Sequence, residues 1–264
     1  MLEGYKCLFV PDGERFVPTP LARGPWSPNA LHGGPSAALL GRAIERYEGG
    51  EAMFVSRITL ELLRPVPLEP LELRVRPVRP GRKVQLIEAS LHTDTHEVAR
   101  AVGLRIRKQR IPLPDDLPIQ PVVELPPEQG VPVKALGAFH EGFHTHGVEH
   151  SFVRGQFATP GPATDWIRLR VPLLEGEVPS PLVRVCAAAD FGNGVSQILP
   201  GAYTFINPDL TIYLHRYPIG EWVCLDSVTR VEDQGIGLAE SRLLDRTGAI
   251  GRALQSLIVE ERIS

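Results

Sequence analysis

The sequence predicts an α+β fold in which two long antiparallel sheets each wrap around a central helix. The first observation behind this prediction is a repeat, because the stretch from His32 to Lys108 is matched in order by the stretch from Asp190 to Glu261. The second is that each copy reads as a glycine-rich turn, a short apolar helix and a series of strands. The repeat indicates two similar domains in one chain, so a functional site need be kept in only one of them.

The two copies keep the same order over more than half of the chain, although few residues are identical. The segment TLELLR at residues 59–64 aligns with TIYLHR at residues 211–216. Other aligned positions are Ser90 with Ser241 and Arg100 with Arg252. In this alignment Gln255 of the second copy falls on Gly103 of the first, and no acid of the first copy matches Asp190. A polar site is therefore expected in the second copy.

Composition limits the classes of function. The chain has 264 residues, with 43% hydrophobic and 22% charged residues, which is typical of a soluble protein with room for two cores. A net charge of −3 does not favour nucleic-acid binding. Neither a signal peptide nor an apolar run of about 20 residues, enough to span a membrane, is visible. Three scattered cysteines favour a reducing, cytoplasmic location.

Residues 1–110 are the predicted first domain. A Gly-Gly pair turns the chain into a helix from Pro35 to Tyr47, whose apolar surface is suited to being covered by a sheet. Gly49-Gly50 ends this helix. The segments RITLELL and LELRVRPV then alternate apolar and polar residues with period two, as half-buried strands do. Since only one helix is available to cover these strands, the sheet is expected to curl around it.

A proline-rich linker is predicted at residues 111–138, because proline is excluded from central strands and helix interiors. Residues 139–264 are the predicted second domain. Ser180-Pro181 begins its helix, with proline at the first helical position, and Gly192 and Gly194 break or kink that helix. Strands are predicted before this helix and again over residues 203–261.

Several segments resemble motifs of the thioesterase-like superfamily, of the acyl-CoA thioesterase II type. They are HGGPSAALL, ADFGNGVS, INPDLTIYLHR, PIGEW and LQSLIVEER. The resemblance covers nearly the whole chain outside the linker, and the order and spacing of the segments make it specific. It implies a double hotdog fold, an acyl-CoA substrate, hydrolysis of the thioester without a cofactor, and a place in lipid metabolism. Further pairing of such units into a homo-oligomer is also expected from it.

The resemblance implies which residues act. In the family an Asp, a Thr or Ser, and a Gln of the second domain hold a water for attack on the thioester. Matched by position, the Asp is Asp190, the Gln is Gln255, and the hydroxyl position is occupied by Asn207. An asparagine can both donate and accept a hydrogen bond, but the hydroxyl is absent, which puts efficient hydrolysis of the usual substrates in doubt.

The residues themselves indicate how this chemistry would work. Asp190 lies in the apolar segment CAAADFG, so desolvation is expected to raise its pKa and make it a better general base. Gln255 lies among apolar strand residues and must find a polar partner. The amides of Gly192, Asn193 and Gly194 are expected to face the thioester carbonyl, and His32, Gly33 and Gly34 of the first domain to line the pocket.

Other interpretations stay open. Asp190 and Gln255 could serve the fold alone, Asn207 could be only a turn residue, and His32 could be a structural loop histidine. The protein could then bind acyl-CoA without turnover, or act as a hydratase or dehydratase in which His32 and Asp190 form the acid–base pair.

Two further patterns have open readings. A metal site is disfavoured, because no acid or cysteine completes the cluster His140, His144, His146 and His150, in which His144 and His146 are expected to share a strand face. Residues 64–110 carry eleven basic against five acidic residues. They are either a rim for the phosphates of coenzyme A or solvated strand residues.

Overall fold

A computed structural model describes residues 2, 4–114, 125–133, 140–157, 159–199 and 201–262. Much of the predicted linker, residues 115–124 and 134–138, lies outside these ranges. The elements of the first half of the chain are β1 (Phe9–Asp12), β2 (Arg15–Pro18), α1 (Gly33–Arg46), β3 (Met53–Leu62), β4 (Leu71–Arg79), β5 (Val84–His92) and β6 (Glu97–Arg107). No helix in the described ranges has the length and apolar character needed to cross a bilayer.

The elements of the second half of the chain are β7 (Val131–Pro132), β8 (Val148–Gln156), β9 (Thr159–Leu169), α2 (Pro181–Ala189), α3 (Gly192–Val195), β10 (Tyr203–Ile206), β11 (Asp209–Leu214), β12 (Val223–Glu232), β13 (Ile236–Asp245) and β14 (Gly248–Glu261). The predicted start of the second helix is confirmed, since Ser180 caps α2 by accepting a hydrogen bond from the backbone N–H of Val183. The helix does break, but at Asp190 and Phe191, which separate α2 from α3; the prediction that Gly192 and Gly194 break it is wrong, because both lie within α3.

The strands of the described chain form one continuous sheet instead of the two sheets that the sequence predicts. The order is β1-β2-β4-β5-β6-β3-β11-β14-β13-β12-β9-β8-β7, and β10 pairs with β14 outside this path. The two halves join where β3 pairs antiparallel with β11, with Thr59 opposite Thr211. This pairing hydrogen-bonds the backbone of two strands that would otherwise be free edges.

The strand register corrects one detail of the repeat. Arg100 lies opposite Ser90 in the first copy, and Arg252 lies opposite Arg242 in the second. With Arg100 aligned to Arg252, Ser90 therefore matches Arg242, and its predicted match to Ser241 is wrong by one residue. Ile87 opposite Gly103 likewise corresponds to Ala239 opposite Gln255, so the predicted match of Gly103 to Gln255 agrees with the register.

The helices α1 and α2 pack against each other and run in opposite directions. A Cβ at Gly34 would lie 2.6 Å from the carbonyl oxygen of Ala187, near the end of α2. At the other end of α1, Glu45 accepts a hydrogen bond of 2.5 Å from the hydroxyl of Ser180. This arrangement places the first turn of α1 beside Asp190, where the helix of the second copy breaks.

The C-terminus of α1 is held by Arg105, one of the basic residues expected on a phosphate-binding rim. Its side chain is fully buried, and its guanidinium donates hydrogen bonds to the carbonyl oxygens of Ile44, Tyr47 and Glu48. A cation suits the free carbonyl groups and the negative end of the helix dipole. Arg105 is therefore a structural residue, and the expectation of a rim position is wrong for it.

Candidate active site

Asp190 lies at the centre of the candidate site because of the break between α2 and α3. The helix stops at Ala189, and the carboxylate of Asp190 lies against the first turn of α1. The approach is so close that a Cβ on Gly33 would lie 2.6 Å from each carboxylate oxygen. Asp190 is only 6% exposed. A buried carboxylate needs compensating donors, and the N-terminus of a helix is a favourable place for one.

The three residues predicted to act on water meet at this carboxylate. Asn207 Nδ2 donates a hydrogen bond of 2.9 Å to Asp190 Oδ1. Gln255 Nε2 lies 3.4 Å from the same oxygen and donates at 3.2 Å to the backbone oxygen of Asp190. Asn207 precedes β11 and Gln255 lies on the neighbouring strand β14, so the sheet carries both side chains to the end of α2. Their polar atoms are close enough to share one water.

His32 is the fourth polar group at the carboxylate, and it comes from the first copy. Its Nδ1 lies 2.8 Å from Asp190 Oδ2 and 3.0 Å from the backbone nitrogen of Gly34. One ring nitrogen cannot donate to the first and accept from the second at the same time. We assign the proton to Nδ1, which then donates to Asp190, because the N–H of Gly34 also hydrogen-bonds the carboxylate.

The segment after Asp190 only partly matches its expected role. The backbone N–H of Asn193 donates at 3.1 Å to Gln255 Oε1, which orients the amide of Gln255. This donor is occupied, so the expectation that it faces a thioester carbonyl is wrong. A Cβ on Gly192 would lie 2.8 Å from Gln255 Oε1, so this glycine permits the close approach. By contrast, a Cβ on Gly194 would have no atom of the described chain within 4 Å.

The pKa of Asp190 is lowered, which corrects the expectation of a raised value. Burial is the largest influence and raises the pKa of this carboxyl. The charge and hydrogen bond of His32, together with the N–H groups of Asn207 and Gly34, outweigh it and lower the pKa below its ordinary value. Asp190 is therefore an anion at neutral pH, ready to accept a proton.

The pH dependence of activity should report on His32. In the His32→Asn variant the shorter side chain no longer supplies the imidazole whose charge and hydrogen bond lower the pKa of Asp190. Burial then dominates, and the pKa of Asp190 rises. We expect the acid limb of the kcat/KM profile, set in the wild type by the lowered pKa of Asp190, to move to higher pH.

The control for this experiment is His96→Asn, at a histidine that lies on an exposed turn and contacts Thr95. It should leave the profile unchanged. An acid limb at the same pH in the wild type and in His32→Asn would contradict the assignment of His32 as the group that lowers the pKa of Asp190.

Two aromatic residues that sequence reasoning missed line the site. The ring centroids of Phe191 and Phe143 lie 4.5 and 5.2 Å from that of His32. Phe191 could have been noticed, since it follows Asp190 directly. Phe143 had no local signal, because only the fold brings its segment to the start of α1. Phe143–Gly147 is a π-helical turn.

This turn also contains two of the four clustered histidines. His144 and His146 lie in the turn, so the prediction that they share a strand face is wrong. Within the described ranges no group of three or more His, Cys, Asp or Glu residues is arranged to hold a metal ion.

In the first copy, the position equivalent to that of Gln255 is occupied by an apolar side chain. A Cβ on Gly103, which matches Gln255, would lie 2.3 Å from Cγ2 of Ile44 on α1. An apolar side chain thus occupies the space that the amide of Gln255 takes in the second copy. The polar cluster around Asp190 is not repeated at this position.

Two family models match the chain. Residues 22–106 match the acyl-CoA thioesterase N-terminal domain, and residues 114–259 match the acyl-CoA thioesterase C-terminal domain. Among curated protein sequences nothing matches significantly.

Solved structures show the same fold at low sequence identity. A proposed thioesterase II from Thermobifida fusca YX is 19% identical, with a TM-score of 0.76 over 96% of this chain and 95% of that one. A protein of unknown function with a hot dog fold from Alicyclobacillus acidocaldarius is 14% identical, with a TM-score of 0.74 over 97% and 96%. An acyl-CoA thioesterase II from Mycobacterium marinum is 14% identical, with a TM-score of 0.62 over 89% and 92%. These likenesses establish a hotdog fold.

Proposed function

Because the chain belongs to the acyl-CoA thioesterase family, we propose that it hydrolyses an acyl-CoA thioester to a free acid and coenzyme A. One observation carries the proposal. Asp190, Asn207 and Gln255 converge on one buried point, where the anionic carboxylate can accept a proton from a water. Hydrolysis needs such a base, a bound water and a stabilised oxyanion.

The chemical step follows from these contacts. A water held between Asp190 and Asn207 attacks the thioester carbonyl carbon and gives its proton to the carboxylate of Asp190. The carbon–sulfur bond then breaks, and the proton passes from Asp190 to the leaving sulfur, so the products are the carboxylic acid and the thiol. Asn207 suits the water-binding role because its Nδ2 is bound to Asp190, which leaves its carbonyl oxygen to accept from the water.

The first copy contributes to the same site. His32 donates to Asp190 and so fixes the orientation of the carboxylate, while the first turn of α1 places the positive end of a helix dipole beside the reaction. A developing oxyanion is stabilised by such preorganised positive charge. Phe143 and Phe191 exclude water from the opposite side of His32.

Substitution of Asn207 tests whether an amide replaces the family's hydroxyl. Asn207→Thr keeps a donor for Asp190 Oδ1 and should retain kcat within about tenfold. Asn207→Leu removes that donor and the water acceptor, and kcat should fall by about 10²-fold. The measurement is release of the coenzyme A thiol at saturating substrate. Equal rates in the Leu variant and the wild type would remove Asn207 from the mechanism.

The proposed function is tested with the wild-type protein and acyl-CoAs of graded chain length. Release of thiol, followed with a chromogenic disulfide, is the expected result for at least one chain length. Binding of a non-hydrolysable thioether analogue is measured in parallel by calorimetry. Tight binding of the analogue without turnover of any thioester would instead establish a non-catalytic acyl-CoA-binding protein.

A hydratase is a second candidate, and the 2.8 Å contact of His32 with Asp190 favours it. Addition of water to an enoyl-CoA needs an acid and a base near the double bond, and these two residues supply both. Loss of the ultraviolet absorbance of an enoyl-CoA, without release of thiol, would identify this reaction.

The metabolic role and the location of the protein follow from the same proposal. An acyl-CoA substrate would place the protein in lipid metabolism. The cysteines in the described chain, Cys7, Cys186 and Cys224, are buried and unpaired, which supports a reducing, cytoplasmic location.

A further inference from the structure

A second group of buried polar residues includes His150, whose ring contacts that of Phe191. His144 is 7% exposed, and neither of its ring nitrogens has a hydrogen-bond partner in the described chain. Burial, followed by the charges of His32, His150 and His146, lowers the pKa of His144 to about 3. His144 is thus neutral, with one N–H donor and one nitrogen acceptor left without a partner.

His150 belongs to the same group. Its Nδ1 lies 2.6 Å from Asp165 Oδ2, and both side chains are buried, while its Nε2 has no partner among the described residues. Asp165 also accepts a hydrogen bond from the backbone N–H of Ser151. A buried polar group without a partner destabilises the folded protein, because it has lost its hydrogen bonds to water. Three such nitrogens in one region therefore indicate that a partner enters this part of the protein.

A cavity of about 210 Å³ lies beside these two histidines. It is lined by His144 and His150 together with Pro132, Val133, Thr145, Val148, Glu149 and Arg170. This volume is several times the roughly 30 Å³ that one water occupies, so a small organic group fits. The unpartnered nitrogens are shielded from bulk solvent, so only a group that enters the cavity and displaces the rings slightly can bind them.

The cavity is a neighbour of the candidate active site. The ring of Phe191 lies 5.0 Å from that of His150 and 4.5 Å from that of His32, which contacts Asp190. Phe143, the residue before His144, also packs on His32 and Phe191. Phe191 thus contacts both the histidine beside Asp190 and a histidine of the cavity lining. An acyl group bound at Asp190 therefore lies one aromatic side chain away from the two histidines.

The hydrogen-bonding capacity of the cavity selects the chemistry of the group. The two nitrogens of one imidazole ring point apart, so a single hydroxyl can pair with only one nitrogen of His144. Because it both donates and accepts, it can at the same time pair with Nε2 of His150. An alkyl chain would leave all three nitrogens without partners. A carboxylate offers only acceptors, so it would leave the acceptor nitrogen of His144 without a partner.

We propose that this cavity receives the hydroxyl group of a hydroxyacyl chain, recognised by His144 and His150, so that the preferred substrates are hydroxylated acyl-CoAs. To call these molecules substrates rests on the proposed function, whereas recognition of the hydroxyl group is a binding property that can be measured without turnover. Asp165 acts as a positioning residue, because it fixes the ring of His150 through Nδ1 and leaves Nε2 for the ligand.

The test uses matched pairs of short acyl-CoA thioethers, with and without one hydroxyl at successive carbons of the chain. Their affinities for the wild-type protein are measured by calorimetry, which needs no turnover. We expect at least one hydroxylated analogue to bind about tenfold or more tightly than its unsubstituted partner, as expected where a site's polar groups would otherwise stay unpaired. The corresponding thioesters should show the same preference in kcat/KM.

Substitutions then assign the preference to the cavity. His144→Phe loses no hydrogen bond seen in the described structure, so it should fold and abolish the preference for the hydroxyl. His144→Asn keeps a donor and an acceptor and should restore part of the preference. The control is His146→Phe, at a histidine of the same turn that contacts Thr145 and lies outside the cavity lining.

The outcomes separate this inference from the proposed function. Equal affinity for hydroxylated and alkyl analogues, a preference for a carboxylated chain, or a preference that survives in His144→Phe would overturn the inference. Absence of thiol release with a clear binding preference would overturn hydrolysis and keep the hydroxyl site.

Discussion

Replacement of Asp190 by asparagine is expected to lower kcat for thioester hydrolysis by about 10³-fold and to change KM little. A positioned general base contributes about 10²–10⁴-fold to a rate, and the amide cannot accept the proton of the attacking water. Asparagine has nearly the volume of aspartate and can still accept from Asn207 through its oxygen, so the cluster should remain packed. Steady-state release of thiol gives kcat and KM.

The matched control is Asp226→Asn, an aspartate of the second copy whose partners Arg154 and Arg242 are on the protein surface. Exposed ion pairs contribute little to stability, so this variant should resemble the wild type in both rate and melting temperature. A kcat close to that of the wild type in Asp190→Asn, with the control unchanged, would show that another group activates the water.

The second large effect is expected from Gly33→Ala. The added Cβ would lie 2.6 Å from each carboxylate oxygen of Asp190, closer than any real contact allows, so the carboxylate must move. A displacement of about 1 Å at a reacting group can cost about 10²-fold in rate, and we expect a loss of that size in kcat. Alanine favours helix at this first position of α1, so the protein should stay folded.

The chain offers a matched glycine for comparison. An alanine at Gly194 in α3 would meet nothing within 4 Å in the described chain, and Gly194→Ala should keep the wild-type rate. Circular dichroism establishes that both variants are folded. If Gly33→Ala hydrolyses thioesters as fast as Gly194→Ala, the position of the carboxylate against α1 has no part in catalysis.

Local signals were sufficient to predict several of the helices and strands. Ser180-Pro181 begins α2, and apolar residues at period two mark β3, since these features depend only on neighbours along the chain. The resemblance also named Asp190, Asn207 and Gln255, whose side chains the fold brings within hydrogen-bond distance.

Features that depend on partners far along the chain were not predictable in the same way. Alternation shows which face of a strand is buried but not which strand lies beside it, so the joining of β3 to β11 into one sheet was missed. The apolar sequence around Asp190 indicated burial, which raises a carboxyl pKa. It carried no sign of His32, whose contribution reverses the shift.

The filling of the Gly103 position by Ile44 has a consequence for how the two halves of this chain can change. The first half has no amide at this position and packs an apolar side chain there instead. The first half cannot accept substitutions at every position, however, because it contributes His32 and the start of α1 to the site in the second half. Random mutagenesis of residues 1–110 should therefore yield sharply localised loss of function around that one turn, surrounded by positions that tolerate replacement wherever packing is preserved.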